Sequence, residues 1–222
     1  MSSTREEVEL VCSPNRESLQ LQTGLYLGAR LLYTRPMSFQ FDITKATEVA
    51  CDLIRREGGV MNIMKMIKLV YALDRLSIQR RRIPVVGGTY FSLPNGPITS
   101  ELLDLINSGG LWGEDECRWE EFISDRQNHE IGLRGAEIGT DHLAPSELKL
   151  ISEIYAELGD KDQWQLRDWS HERCEEWTPM ARGRDRIPVA KMARAVGLND
   201  EQIQQIEQDA EELNFVGAAL HA

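Results

Sequence analysis

A mostly helical α+β fold, a single domain with a small antiparallel sheet, is what this sequence predicts, on three observations. Several stretches repeat their apolar residues every 3.6 positions, opened by a capping residue or proline and closed by glycine. Short β-prone runs punctuated by Pro, Asn and Gly lie between them. Finally, 41% apolar and 27% charged residues over 222 positions suit a chain that buries a real core.

Residues 1–37 show no sustained period and read as an irregular N-terminal extension. Met37 opens a stretch that looks like the natural start of a domain, so the segment before it is expected to lie upstream of that start; a short helix around 21–33 is the competing reading. Asp42 is a good N-cap for a helix with Ile43, Ala46, Val49, Ala50, Leu53 and Ile54 on one face, ended by Gly58-Gly59. Asn62 caps the next helix, where Ile63, Met66, Ile67, Val70, Tyr71 and Leu73 keep the helical period. Lys65 and Lys68 share a face of it, with Asp74 and Arg75 further along.

The run 89–92 is β-prone, and Pro94-Asn95-Gly96-Pro97 must stop it, since proline cannot donate to a ladder and Asn-Gly tolerates a reversal. Pro97 is expected to open a helix burying Ile98, Leu102, Leu105 and Ile106 and ending at Gly109-Gly110. Weak alternation over 118–124 and 129–134 predicts a β-hairpin pairing with 89–92. Pro145 starts an amphipathic helix stopped by Gly159, Asp162 caps one carrying Trp164, Leu166 and Trp169, and Pro188 opens another ending at Gly197. A last helix runs from Asn199-Asp200 to about Leu213, making about seven in all.

Charge is unevenly placed. Residues 1–111 hold 13 basic and 11 acidic residues, a net of +2; residues 112–222 hold 12 and 25, a net of −13. An acidic half repels nucleic acid and steers basic protein surfaces toward it. Cys12, Cys51, Cys117 and Cys174 form no Cys-x-x-Cys and read as free thiols of a reducing cytoplasm. No apolar run reaches the ~18–20 residues of a membrane span, and Glu6, Glu7 and Glu9 stand where a signal peptide would be basic.

The order of residues from Lys65 to Asp104 resembles the Panacea domain, the SocA-like antitoxin domain of bacterial and phage toxin–antitoxin pairs. The pattern is carried by Lys65, Lys68, Leu69, Tyr71, Asp74 and Arg75, then Tyr90, Gly96, Pro97 and Ile98, then Glu101, Leu102 and Asp104, and continues at Trp169-Ser170-His171. The resemblance spans roughly residues 39–197. It implies a domain over 38–198, followed by a C-terminal helix and tail over 199–222. It also implies an antitoxin that neutralises a cognate toxin, an inhibitor of translation or growth encoded beside it, by direct protein–protein binding. The family-motif and partner-binding candidates are Lys65, Lys68, Tyr71, Asp74, Arg75, Tyr90, Asn95, Gly96, Pro97, Glu101 and His171.

Other chemistry finds little support in the residues. His171-x-x-Cys174 is the one close pairing of its kind, short of the three or four ligands a metal needs. No cofactor, metal or catalytic residue is expected, and no phosphate-binding loop or hydrolase motif is present. Residues 189–208 have helix-turn-helix spacing, but their second helix is acidic and lacks lysine and arginine, so nucleic acid is not an expected partner. Arg80-Arg81-Arg82 reads as a solvated turn or an anchor for the acidic half, His171 as a polar tether to the C-terminal helices, and Trp112 or Trp177 as exposed contact anchors. Two rival functions stand beside neutralisation: an adaptor delivering its partner to a protease, and an unrecognised enzyme built around His171 and Cys174.

Overall fold

The computed structural model describes residues 38–108, 117–135 and 138–220. The expectations for residues 1–37, for the Gly109-Gly110 stop and for Trp112 lie outside them. The architecture is α+β: eight helices and five short strands among the described residues.

Helix α1 (Ile43–Arg56) begins where Asp42 accepts the Lys45 amide, and its chain turns at Gly58 and Gly59, both at positive φ. Strand β1 (Val60–Asn62) leads into α2 (Ile63–Arg81), capped by Asn62, whose side chain accepts the amides of Met64 and Lys65. Thirteen of the nineteen residues of α2 are buried, so it is the axis of the fold rather than a one-faced surface helix. It packs against α1, the later helices α5 (Pro145–Leu158), α6 (Gln163–Arg173) and α7 (Val189–Ala195), and the sheet.

Arg82 ends α2 in the left-handed region, and the arginine run is an internal anchor: Arg80 pairs with Glu153, and Arg81 with Glu147 at 3.0 Å. Both carboxylates lie on α5, in the acidic half. Strand β2 (Tyr90–Leu93) is the middle of a three-stranded antiparallel sheet between β3 (Gly96–Thr99) and β5 (Asp185–Ile187).

Here the structure corrects three expectations. Pro97 does not open a helix: it sits in β3 opposite Ser92, and α3 (Ser100–Ser108) begins three residues later. A proline is tolerated there because β3 is an edge strand, where a missing amide breaks no outer ladder. Residues 118–124 enter a hairpin only at their end, where Ile123 bridges Leu133 antiparallel and the Ser124 amide donates to the Gly132 carbonyl at 2.8 Å. Trp119, Phe122 and Ile123 stand at i, i+3 and i+4 and all are buried, so the segment makes the short helix α4 (Cys117–Phe122).

The segment 129–134 does supply a strand, β4 (Glu130–Gly132), but it pairs with β1, not β2. That register sets Met61 opposite Ile131, both buried, whereas β2 already has both edges filled. The place beside β2 goes to β5, which carries too short a pattern, Asp185-Arg186-Ile187, to stand out as a strand. The last helix, α8 (Asp200–Leu220), runs past Leu213.

Two apolar clusters share α2. The larger joins α1, α2, α3, α4 and α5; the smaller joins Tyr71, Ile78 and Tyr90 to α7 and α8 through Met192, Ile203 and Ile206. The α7–α8 pair is thus a packed helical hairpin, with Glu201, Glu207, Glu211 and Glu212 on its exposed side.

Candidate partner-binding site

The motif residues of α2 are tied one after another to different parts of the fold. Lys65, 6% exposed, reaches Glu57 at 2.5 Å and the Gly159 carbonyl at 2.8 Å, joining the ends of α1 and α5. Lys68, 2% exposed, donates to the Pro97 carbonyl at 2.7 Å. One turn on, the Tyr71 hydroxyl donates to Glu176 Oε1 at 2.7 Å, and Arg75 reaches the same oxygen at 2.9 Å and the Arg173 carbonyl at 2.9 Å. These bonds fasten the chain after α6 onto α2.

Asp74 is fully buried and accepts four hydrogen bonds, from the amides of Val85, Val86 and Gly87 and from the Tyr90 hydroxyl, at 2.8–3.1 Å. It shapes the connection between α2 and β2. Burial pushes its pKa up to about 6, and the four donors oppose that rise. Tyr90 packs edge-on against Tyr71, ring centroids 5.8 Å apart. Glu101, in the first turn of α3, accepts the Thr89 amide at 2.7 Å.

The β2–β3 corner gathers the rest. Asn95 is exposed at the tip, while Gly96 has φ +95° and lies so close to α2 and α6 that a Cβ there would come within 2.5 Å of Ser170 Oγ and 2.8 Å of Lys68 Nζ. His171 lies against the same glycine and stacks on Trp177 at 3.9 Å between centroids, the planes 5° apart. Its Nε2 is buried with no partner among the described residues. Burial, and then the Lys68 charge, hold its pKa below the usual value. Lys68 itself is pushed down to about 7 by burial.

The structure therefore brings Lys68, Gly96, Pro97 and His171 to one corner and Tyr71, Asp74, Arg75 and Tyr90 to the next turn of α2, leaving Lys65 and Glu101 apart. Cys174 is near this cluster, 2% exposed, and burial pushes its thiol up to about 12, where the reactive thiolate is scarce at neutral pH. Among the described residues no three His, Cys, Asp or Glu side chains group as metal ligands would.

Beside the corner opens a cleft of about 450 Å³ between α2, the β2–β3 hairpin, α3 and the start of α6. Ile63, Ile67, Leu93, Ile98 and Leu103 line it, with Trp164 at its rim, 49% exposed. Two functional candidates escaped the sequence. Glu176 gives no local signal, since its partners are about 100 residues upstream. Trp164 is the second residue of its helix, beside the Asp162 cap, and nothing local in the sequence sets its exposed indole apart from the buried Leu166 two residues on. Trp177, weighed as an exposed anchor, is half-buried, its indole donating to the Leu93 carbonyl at 2.9 Å.

A model of the antitoxin SocA-like Panacea domain matches residues 66–178, just over half of the chain. The chain belongs to the Panacea-domain family. The match begins one residue after Lys65 and takes in most of α2, the β2–β3 hairpin, α3 to α6 and the Glu176 anchor, a narrower span than 39–197. No curated protein and no solved structure matches the sequence. The Panacea match thus covers the α2 tethers from Lys68 onward and the corner they hold, while α1, α7 and α8 lie outside it. No helix among the described residues is long and apolar enough to cross a membrane.

Proposed function

We propose that this Panacea-domain protein is the cytoplasmic antitoxin of a toxin–antitoxin pair and neutralises its cognate toxin, encoded beside it, by stoichiometric binding. The family match carries the reading. The geometry supports it in three ways. The polar motif residues are spent on internal tethers, which gives a rigid scaffold rather than a set of mobile reactive groups. Cys174, three residues after His171, is a buried neutral thiol, so turnover through it is disfavoured. The acidic outer face of α8 suits a basic protein partner and would repel DNA phosphates.

Occlusion of the toxin's working surface is the mechanism: the antitoxin covers it and has no reaction of its own. The test is growth rescue with the neighbouring reading frame. The neighbour is expressed from one inducible promoter, with and without this protein from another, and colony formation and co-purification are followed. Killing by the neighbour, rescue, and elution of the two as a complex are expected. Rescue without a complex overturns neutralisation by contact, and a shortened half-life of the neighbour in pulse-chase would indicate delivery to a protease.

A further inference from the structure

The cleft beside the β2–β3 corner is electrostatically unlike the rest of the molecule. The chain carries a net charge of −11, yet among the described residues no aspartate or glutamate lines this cleft. Lys68 and Arg126 do, with His129 beside them. Lys68 is buried, spends one of its three N–H donors on Pro97, and pairs with no carboxylate among the described residues. A buried amine of that kind either gives up its proton near neutral pH or holds it against an anion. It also stands against Gly96, which is itself in the cleft wall. Around these basic groups the lining is mostly apolar, with Asn62, Asn95, Asn107 and Gln163 among it, and Trp164 stands half out of the surface at the mouth. An exposed indole beside an apolar cleft is the usual form of an interface anchor.

We propose that this cleft docks a segment of the toxin in which a carboxylate follows a large apolar side chain. The apolar group fills the space under Trp164 between Ile67 and Ile98, and the carboxylate faces Lys68 with Arg126 at the rim. The occupant follows from charge complementarity: two basic side chains, no acid among the described residues, and a mostly apolar lining select an anionic, apolar-flanked segment over a basic one. The inference rests on the antitoxin reading and adds the chemistry of one contact. The acidic outer face draws a basic toxin in, and the cleft fixes its register by reading one carboxylate.

Two measurements separate this inference from that reading. In the first, the full 222-residue protein is titrated with N-acetyl-leucine and with N-acetyl-leucinamide, which differ in the negative charge, and the Trp164 indole signal is followed by NMR, assigned with Trp164→Phe. A fragment this small is expected to bind in the high-micromolar to millimolar range. The acid is expected to shift the Trp164 signal with an affinity about ten-fold above the amide, and Lys68→Met and Arg126→Gln to erase that preference. Equal binding of acid and amide, or no shift at about 20 mM, overturns the proposal. In the second, Trp164→Ala and Arg126→Gln, both surface changes, are compared in the purified complex with the toxin. At least ten-fold weaker binding is expected. A complex that forms with unchanged affinity overturns the cleft as the contact and leaves neutralisation standing; absence of any complex with the parent protein overturns neutralisation itself. A dimer of this chain that loses affinity with Trp164→Ala would assign the cleft to a second copy and overturn the toxin segment.

Discussion

Gly96 and Lys68 show what single residues decide here. Gly96 is required twice over, by a φ of +95° and by a site in which a Cβ would meet Ser170 Oγ at 2.5 Å and Lys68 Nζ at 2.8 Å. Gly96→Ala is therefore expected to destabilise by about 2–3 kcal/mol, read as a lower urea midpoint at unchanged m. Lys68 acts in the opposite sense. Its pKa is lowered from 10.5 to about 7 by burial, with the Cys174 thiol a small opposing influence and the His171 imidazole facing it from α6. Between those two values the unfolded chain binds more protons than the folded one, so stability rises with pH across that window.

Over the whole window this amounts to roughly 3–5 kcal/mol. The buried thiols of Cys51 and Cys174, raised from 9.0 to about 12, act against it above pH 9, since there the folded state holds the extra protons. Lys68→Met is expected to be more stable than the parent at pH 6–7 and to lose the rise between about pH 7 and 9. Denaturation of both proteins across that range checks it, and a parallel pH dependence in the two would count against an ionisable Lys68 as its source.

Among the elements, α2 organises the rest. Its start was readable because Asn62 caps it through two amides, at 2.9 and 3.3 Å, and a cap is a local arrangement. Asn62→Ala is expected to cost about 1 kcal/mol, visible as a lower melting temperature of a few degrees for a domain of this size. The strands were less legible, for a reason that differs from case to case. Pro97 is compatible with a helix start and an edge strand alike, and what decides is that the Lys68 ammonium binds its carbonyl and Ser92 stands opposite. The buried Trp119 and Phe122 of α4, with Ile123 just after it, fit a helical period over too short a window for the pattern to outweigh apparent alternation. Strand β5 exists only because β2 offers it an edge.

At the scale of the molecule, the division of charge is the property most exposed to test. Part of the acid of the second half is used internally, as Glu147 holds Lys45 and Arg81 and Glu176 holds Tyr71 and Arg75. What is left on the surface includes the outer face of α8. If that face steers a basic toxin, the association rate of the complex should fall about ten-fold or more between about 50 and 500 mM salt, with a smaller change in the dissociation rate. Stopped-flow mixing at several salt concentrations measures it, and a rate indifferent to salt would rule steering out.

The sequence by itself determined the helical framework, the caps at Asp42, Asn62 and Asp162, and the identity of the motif residues, because these depend on neighbours within a turn or two of the chain. Tertiary structure alone decided what those residues touch. That Lys68 and Asp74 are buried rather than laid along a charged face follows from Pro97, Val85, Val86, Gly87 and Tyr90 closing over them. The partner of Tyr71 and Arg75 is Glu176, roughly a hundred residues away. The cleft under Trp164 is likewise assembled from α2, the hairpin, α3 and α6. Burial and ion pairing are properties of the folded volume, and a linear period reports only the face a residue occupies, not what packs against it.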